Sequence, residues 1–246
     1  MPAALITGSS RGIGRGIALR YARDGYDVAV NYNSSEDAAY EVVDAIESET
    51  DSRAVAIGAD VGDTDAATRL VSETVEALGG LDHLVNNAAI NDHRYTPELS
   101  PERFDRLMDI NVNSVYTITR EAVPHLQASD EPEGASVVNL SSRLAFAGAP
   151  YEPHYASSKA AIVALTKSHA EEFAPEIRVN CIAPGYIETD MTDATNDEAD
   201  KAERRETIPV GRLGQPSDIG DAAAFLRDAG FVAGETLQVN GGQMMY

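Results

Sequence analysis

The chain is predicted to fold as a single α/β domain, a doubly wound parallel sheet of seven strands with helices on both faces. Three observations predict it. Short apolar runs alternate strictly with longer amphipathic stretches, no Pro/Gly/Ser-rich linker or internal repeat divides the chain, and 246 residues suit one large α/β domain. Hydrophobic residues make up 43% of the chain, enough for a sizeable core.

The strand candidates are Ala3–Thr7, Asp27–Asn31, Ala54–Gly58, His83–Asn86, Ser136–Leu140, Arg178–Ala183 and Thr236–Val239, each a short apolar run bounded by turn residues. Helical periodicity fills the intervals at Gly14–Asp24, Asp37–Thr50, Asp65–Leu78, Pro101–Gln127, Tyr155–Phe173 and Ser217–Ala229. Strand and helix in alternation imply right-handed βαβ units. One stretch is irregular: Gly185 to Pro209, polar and acidic with a helical middle. It follows the sixth strand, where ligands of such sheets bind, and reads as a lid over the carboxyl ends of the strands.

Charge narrows the possible partners. The chain carries 40 acidic residues against 19 basic ones, a net −21, and its only lysines are Lys159, Lys167 and Lys201. Such a surface repels nucleic acid and anionic membranes, so neither is a partner. The acids are spread along the chain (Glu36 to Glu49, Asp60 to Glu76, Asp193 to Glu206). That distribution favours a surface adapted to concentrated salt over an acidic face for one cationic partner. The single cysteine, Cys181, precludes an intramolecular disulfide and lies in an apolar run, as core residues do. Pro2 to Thr7 enter a strand with no basic n-region before them, and no run approaches the ~20 apolar residues of a membrane span. A soluble cytoplasmic protein is expected.

The first strand leads into Thr7-Gly8-Ser9-Ser10-Arg11-Gly12-Ile13-Gly14, which opens the first helix. Gly8 permits a tight turn, Gly12 lets backbone approach a pyrophosphate, Gly14 allows close packing, and the helix N-terminus faces the phosphates. The spacing differs from the common G-x-G-x-x-G, but the strand–turn–helix context favours a dinucleotide over a plain turn. The second strand runs out through Asn31-Tyr32-Asn33-Ser34-Ser35 with no acid before Glu36. An acid there would bind a ribose 2′-hydroxyl and repel a 2′-phosphate, while Arg11 is placed to pair with one. NADP(H) is therefore favoured over NAD(H).

Downstream lie Ser141-Ser142 and Tyr155-Ala156-Ser157-Ser158-Lys159. Tyr155 and Lys159 are four apart, so they share a helix face, and a nearby ammonium favours the phenolate and lowers the tyrosine pKa. Asn111 is placed to hold a relay water or to make a helix polar contact. None of the five histidines shows metal-ligand spacing, and no metal is expected. His154 either faces substrate or makes a helix-start contact.

These motifs resemble those of the classical short-chain dehydrogenases/reductases, a Rossmann-type family, from Ala4 to Gly242. The resemblance rests on Thr7-Gly8…Gly12-Ile13-Gly14, Asp60-Val61, Asn86-Asn87-Ala88, Asn111, Ser142, Tyr155…Lys159 and Pro184-Gly185. Within the family the chain is most similar to 3-oxoacyl-ACP and acetoacetyl-CoA reductases, on segments such as Ile182 to Met191 and Gly234 to Gly242. The resemblance implies a cofactor site over Gly8, Ser10, Arg11, Gly12, Ile13 and Gly14, and over Asn31, Tyr32, Ala89, Pro184 and Gly185. It implies that Asp60 and Val61 meet the adenine, Asn87 and Ala88 the ribose, and Ile187 and Thr189 the nicotinamide carboxamide. Tyr155 would donate a proton, Ser142 hold the carbonyl oxygen, Lys159 bind the ribose, and Asn111 anchor the water. A homotetramer is likewise implied.

Two features depart from the family pattern. Ala89 stands where glycine is usual. The segments Gln127 to Glu133 and Glu171 to Glu176 are acidic where carrier-protein reductases present basic residues. Acid against acid disfavours a carrier-protein substrate and leaves a CoA thioester or a small ketone. Two alternatives stay open: a sugar, polyol or secondary-alcohol dehydrogenase, and a nucleotide-sensing protein without catalysis.

Overall fold

A computed structural model describes residues 1–189 and 198–245. Its centre is a seven-stranded sheet made of β1 (Ala3–Ile6), β2 (Asp27–Tyr32), β3 (Ala54–Gly58), β4 (His83–Asn86), β5 (Ala135–Leu140), β6 (Ile177–Pro184) and β7 (Thr236–Val239). The spatial order is β3-β2-β1-β4-β5-β6-β7, every neighbouring pair parallel. Order reverses between β1 and β4, so the chain leaves these two strands toward opposite faces and a crevice opens at their carboxyl ends.

Side chains alternate across the sheet with the period of two that a pleated strand imposes. Ala3, Leu5, Leu84 and Val137 enter one apolar layer, with α3 (Thr64–Leu78) and a later helix, α5 (Ser114–Leu126). Ala4, Ile6, Val85 and Val138 enter the other, with α1 (Gly12–Arg23) and α2 (Glu36–Glu49). Because both faces are covered, the strands read as apolar runs instead of alternating ones. Cys181 is fully buried between Val115 and Ile162, and burial pushes its thiol up to about 11.

The helix anticipated over Pro101–Gln127 is not continuous. It comprises α4 (Pro101–Met108), a single π-helical turn (Asp109–Asn113) and α5. The break lies at Asn111, whose side chain bonds out of the helix to Ile90 in the loop that follows β4. An amide that finds partners off-axis competes with the regular ladder, and such wide turns gather at functional sites.

Beyond β5 come α6 (Leu144–Ala147) and α7 (Pro153–Phe173); beyond β6 come α8 (Glu198–Thr207) and α9 (Pro216–Asp228). The helical middle anticipated for the segment 185–209 corresponds to α8, while its residues 190–197 lie outside the described ones. Among the described residues, no helix is long and apolar enough to cross a membrane, and no side-chain cluster has the makings of a metal site.

Helices α1 and α9 cross at two glycines. A Cβ on Gly16 would lie 2.6 Å from the Pro216 carbonyl oxygen, and one on Gly220 2.8 Å from the Gly16 carbonyl oxygen. Alanine in a helix interior is ordinarily favoured over glycine by about 1 kcal/mol. Overpacking against backbone costs about 1–3 kcal/mol. Gly16→Ala is therefore expected to destabilise the fold despite its helix propensity, read as a lower urea midpoint at unchanged m-value.

Candidate active site

A cavity of about 420 Å³ opens over the carboxyl ends of the strands. Its walls include every residue proposed above for cofactor or chemistry except Asn111. They also take in Asn33, Ser34, Ser35, Leu140 and Ser141.

The glycine loop forms one side. Gly8 and Gly12 have φ of +62° and +56°, a region L side chains avoid, and a Cβ on Gly8 would meet the Ala88 Cα at 2.9 Å. A Cβ on Gly14 would lie 2.5 Å from the Gly8 carbonyl oxygen and 2.6 Å from Asn87 Nδ2. The close packing foreseen at Gly14 is thus against the loop and the β4 end. α1 begins at Gly12 with no side-chain cap, so its free amides and positive dipole end face the cavity. Those features fit a dinucleotide pyrophosphate.

Hydrogen bonds lock the loop in place. The amides of Asn87 and Ala88 donate to Thr7 Oγ1 at 2.9 and 3.0 Å, and Asn87 Nδ2 donates to the Thr7 carbonyl at 2.8 Å. Asn31 Oδ1 accepts from the Gly8 amide at 3.0 Å, while its Nδ2 donates to the Ile57 and Ala59 carbonyls. Asp60 is held by Arg106 at 2.5 Å and by the Gly62 amide at 3.0 Å. The Tyr32 hydroxyl at the end of β2 donates to Glu36 at 2.9 Å, while Arg11 is exposed and lines the same cavity as Asn33, Ser34 and Ser35. This cluster fits a 2′-phosphate: one guanidinium, three small polar residues, and the first acid already engaged.

The opposite wall carries Ser142, Tyr155 and Lys159. Lys159 is 3% exposed, and its Nζ donates to the Leu140 carbonyl at 2.8 Å and sits 5.6 Å from the centre of the Tyr155 ring. Burial pushes the Lys159 ammonium down to about 8. The lowered tyrosine pKa anticipated from the Tyr–Lys spacing is reversed. Burial pushes the Tyr155 hydroxyl up to about 12, the Glu152 carboxylate adds to the rise, and the Ser142 hydroxyl only partly offsets it. Desolvation of the phenolate is the largest cause, and the Lys159 ammonium, engaged with the Leu140 carbonyl, is not among the groups that move it.

Asn111 lies behind the wall. Its Nδ2 donates to the Ile90 carbonyl (3.0 Å) and to Ser158 Oγ (3.1 Å), and its Oδ1 accepts from the Ile90 amide (2.9 Å). Both amide hydrogens are therefore used in positioning α7 against the β4 end. His154 is fully buried in the first turn of α7 and does not reach the cavity wall.

Several supporting residues had no local sequence signal. Asn86 donates to Thr119 and to Asn139, and Asn139 donates in turn to Thr166, a buried polar ladder linking β4 and β5 to α5 and α7. Ser141 Oγ donates to the Lys159 carbonyl at 2.7 Å. The Ser-Ser pair was visible in sequence, but its division of labour needed the fold.

The Lys159 shift gives a pH signature. An unburied lysine loses its proton near 10.5, the folded one near 8. Between these values the unfolded chain holds a proton that the folded chain has released, so this site adds stability as pH rises through that window. Lys159→Met removes the contribution. The stability of the wild type relative to the variant should therefore rise from pH 8 to pH 10.5 in paired denaturant titrations.

The chain matches the enoyl-(acyl carrier protein) reductase family over residues 8–244. It is 41% identical over 246 residues to the 3-oxoacyl-[acyl-carrier-protein] reductase FabG of Staphylococcus aureus (strain Mu50), covering 98% of each chain. A dehydrogenase/reductase structure from Sinorhizobium meliloti 1021 superposes with a TM-score of 0.91 at 39% identity, over 99% of this chain and 95% of that one. A short chain dehydrogenase from Burkholderia cenocepacia J2315, solved in complex with NADP, gives a TM-score of 0.90 at 36% identity, over 98% and 97%. Matches of this identity across nearly whole chains mean common descent, and the chain belongs to the classical short-chain dehydrogenase/reductase family of oxidoreductases.

Proposed function

We propose that the protein catalyses the NADPH-dependent reduction of a 3-oxoacyl thioester to the 3-hydroxyacyl thioester. The observation that carries this reading is the convergence of Ser142, Tyr155 and Lys159 on one cavity with the glycine loop and Arg11. Similarity to a 3-oxoacyl-[acyl-carrier-protein] reductase along the whole chain supports the substrate class.

In this reading Arg11 and the serines after β2 hold the 2′-phosphate, Asp60 and Val61 the adenine, Asn87 and Ala88 a ribose, and Ile187 and Thr189 the carboxamide. NADPH, when bound, supplies the hydride. Ser142 donates a hydrogen bond to the carbonyl oxygen, where negative charge develops. Tyr155, with its hydroxyl near 12, is fully protonated at neutral pH and gives its proton to the far more basic alkoxide. Lys159, charged below about 8, stabilises the phenolate left behind. Asn111 positions α7, and with it this pair.

Acyl-CoA is favoured over a protein carrier, because Asp130, Glu133, Glu171 and Glu172 are exposed where an acidic carrier would approach. NADPH oxidation should follow addition of acetoacetyl-CoA, more slowly with NADH, and exceed that with sugars, polyols or simple ketones. Absence of turnover with every 3-oxoacyl thioester would overturn the substrate assignment. Tyr155→Phe should cut kcat by about 10²–10⁴ while NADPH affinity stays nearly intact. Retained kcat would remove Tyr155 from the mechanism.

We also infer a salt-adapted homotetramer acting in the cytoplasm. The net charge of −21 supports adaptation to salt. Support for assembly comes from β7, only half-buried at the sheet edge, and from a cavity of about 630 Å³ beside it whose lining mixes Phe146, Val163 and Met245 with Lys167, Glu235 and Gln238. Sedimentation and thermal melting at about 0.1 M and about 2 M KCl test both points, since screening is nearly complete in the second. A tetramer mass and a higher midpoint in concentrated salt are expected. A monomer, or a midpoint indifferent to salt, would overturn the corresponding inference.

A further inference from the structure

Acids outnumber bases about two to one in this chain, and most guanidiniums have found one. Arg23 pairs with Glu49, Arg53 with Asp27, Arg94 and Arg103 with Asp92, Arg106 with Asp60, and Arg212 with Asp218. Arg227 shows the full pattern for an arginine on aromatic rings. It lies 4.6 and 4.2 Å from the ring centres of Tyr21 and Tyr26 and also pairs with Asp24 at 2.7 Å and Asp228 at 2.6 Å.

Two arginines break the pattern together. The guanidiniums of Arg143 and Arg204 lie 4.6 and 4.2 Å from the ring centre of one residue, Tyr186. Neither has a carboxylate partner among the described residues. Their position is specific. Arg143 follows Ser142, its amide donates to the Pro184 carbonyl at 3.1 Å, and Tyr186 sits between Gly185 and Ile187, so the neighbours of both belong to the cavity wall. Arg204 arrives from α8, in the segment that follows β6. Two cations this close repel each other, and the ring's quadrupole offsets only part of that. An oxyanion beside them would satisfy both, and guanidiniums suit carboxylate and phosphate in geometry.

We propose that Arg143 and Arg204, held on Tyr186, form a subsite for an oxyanion carried by the substrate, at the end of the cavity beyond Ser142. This rests on the reductase reading above. The oxyanion is either the phosphate of a phosphopantetheine arm or a carboxylate on the acyl unit itself. It gives an otherwise anion-repelling surface a local attraction at its reaction site.

Two matched substrate pairs separate the sources. Acetoacetyl-4′-phosphopantetheine and acetoacetyl-pantetheine differ only in the phosphate, while acetoacetate and ethyl acetoacetate differ in the charge of the carboxylate. In the wild type, the charged member of one pair should have a KM about tenfold below that of its neutral counterpart, and that pair names the source. Arg143→Gln/Arg204→Gln should bring the ratio to near one, with the kcat ratio little changed. A merely structural role would shift both members of a pair alike. Ratios near one in both pairs, or a preference that survives the double substitution, would overturn the subsite. If none of the four compounds oxidises NADPH, the reductase reading fails separately. Calorimetric titration of the NADP-loaded protein with the same four compounds, wild type against double variant, then decides the subsite on the affinity ratio by the same criteria.

Discussion

The constraint on which the site depends is the way Thr7 joins the carboxyl ends of β1 and β4. Its hydroxyl accepts from two successive amides, Asn87 and Ala88, and its carbonyl accepts from the Asn87 side chain. The two strands are neighbours whose chains depart toward opposite faces, so their ends would otherwise leave backbone donors unpaired in a crevice that water and ligand must enter. With those donors satisfied, Gly8 can turn left-handed over Ala88, and Gly14 can pack directly against the Gly8 carbonyl and the Asn87 side chain. The helix N-terminus then points at the site as a rigid anion cradle. A side chain at either glycine would push the loop off this anchor, so the cradle and the strand junction are one structural unit.

The same economy governs the chemical wall. Lys159 is almost wholly buried and depends on the Leu140 carbonyl, while Ser141, the residue just past β5, holds the backbone of Lys159. Burial drives the lysine toward losing its proton and the tyrosine toward keeping it. The pair is thus poised with a protonated phenol and a barely retained ammonium. A site arranged this way holds its donor loaded in the ground state and reserves the lysine's charge for the phenolate, which exists only after proton transfer. Stabilisation confined to that late state accelerates chemistry without tightening ground-state binding.

How much of this was legible in the sequence follows from the range of the interactions. The glycine loop and the Tyr155–Lys159 pair are local patterns, set by a single turn or a single helical face, and every cavity residue drawn from them or from the family resemblance lines the one cavity. Strand limits fell within a residue or two for the same reason. Asn111 marks the boundary. Its importance was visible, but its partners, Ile90 and Ser158, belong to segments about 20 and 47 positions away. Only the fold shows that both amide hydrogens are spent on positioning and that the helix opens into a wide turn there. The ladder from Asn86 through Asn139 to Thr166 has no sequence signature, because each member reads as an ordinary polar residue until strands and helices are stacked. The direction of the Tyr155 shift was likewise hidden. Spacing reports which charges are near, whereas desolvation depends on everything packed around them.

Electrostatics joins these scales. A chain with net charge −21 repels the anionic cofactor and substrate that its family uses, and a uniform distribution of acids would do so from every direction. What permits binding is local arrangement: most arginines are neutralised by carboxylates, while Arg11, Arg15, Arg69, Arg143, Arg178 and Arg204 meet none among the described residues. Arg11 lines the nucleotide end of the cavity, while Arg143 and Arg204 lie on the ring of Tyr186, whose chain neighbours Gly185 and Ile187 belong to its wall. Lack of a carboxylate is not by itself distinctive, since exposed Arg15 and Arg69 share it; the place of Arg11 on the cavity wall, and of Arg143 and Arg204 together on one ring beside it, is what suits an anion arriving from solution.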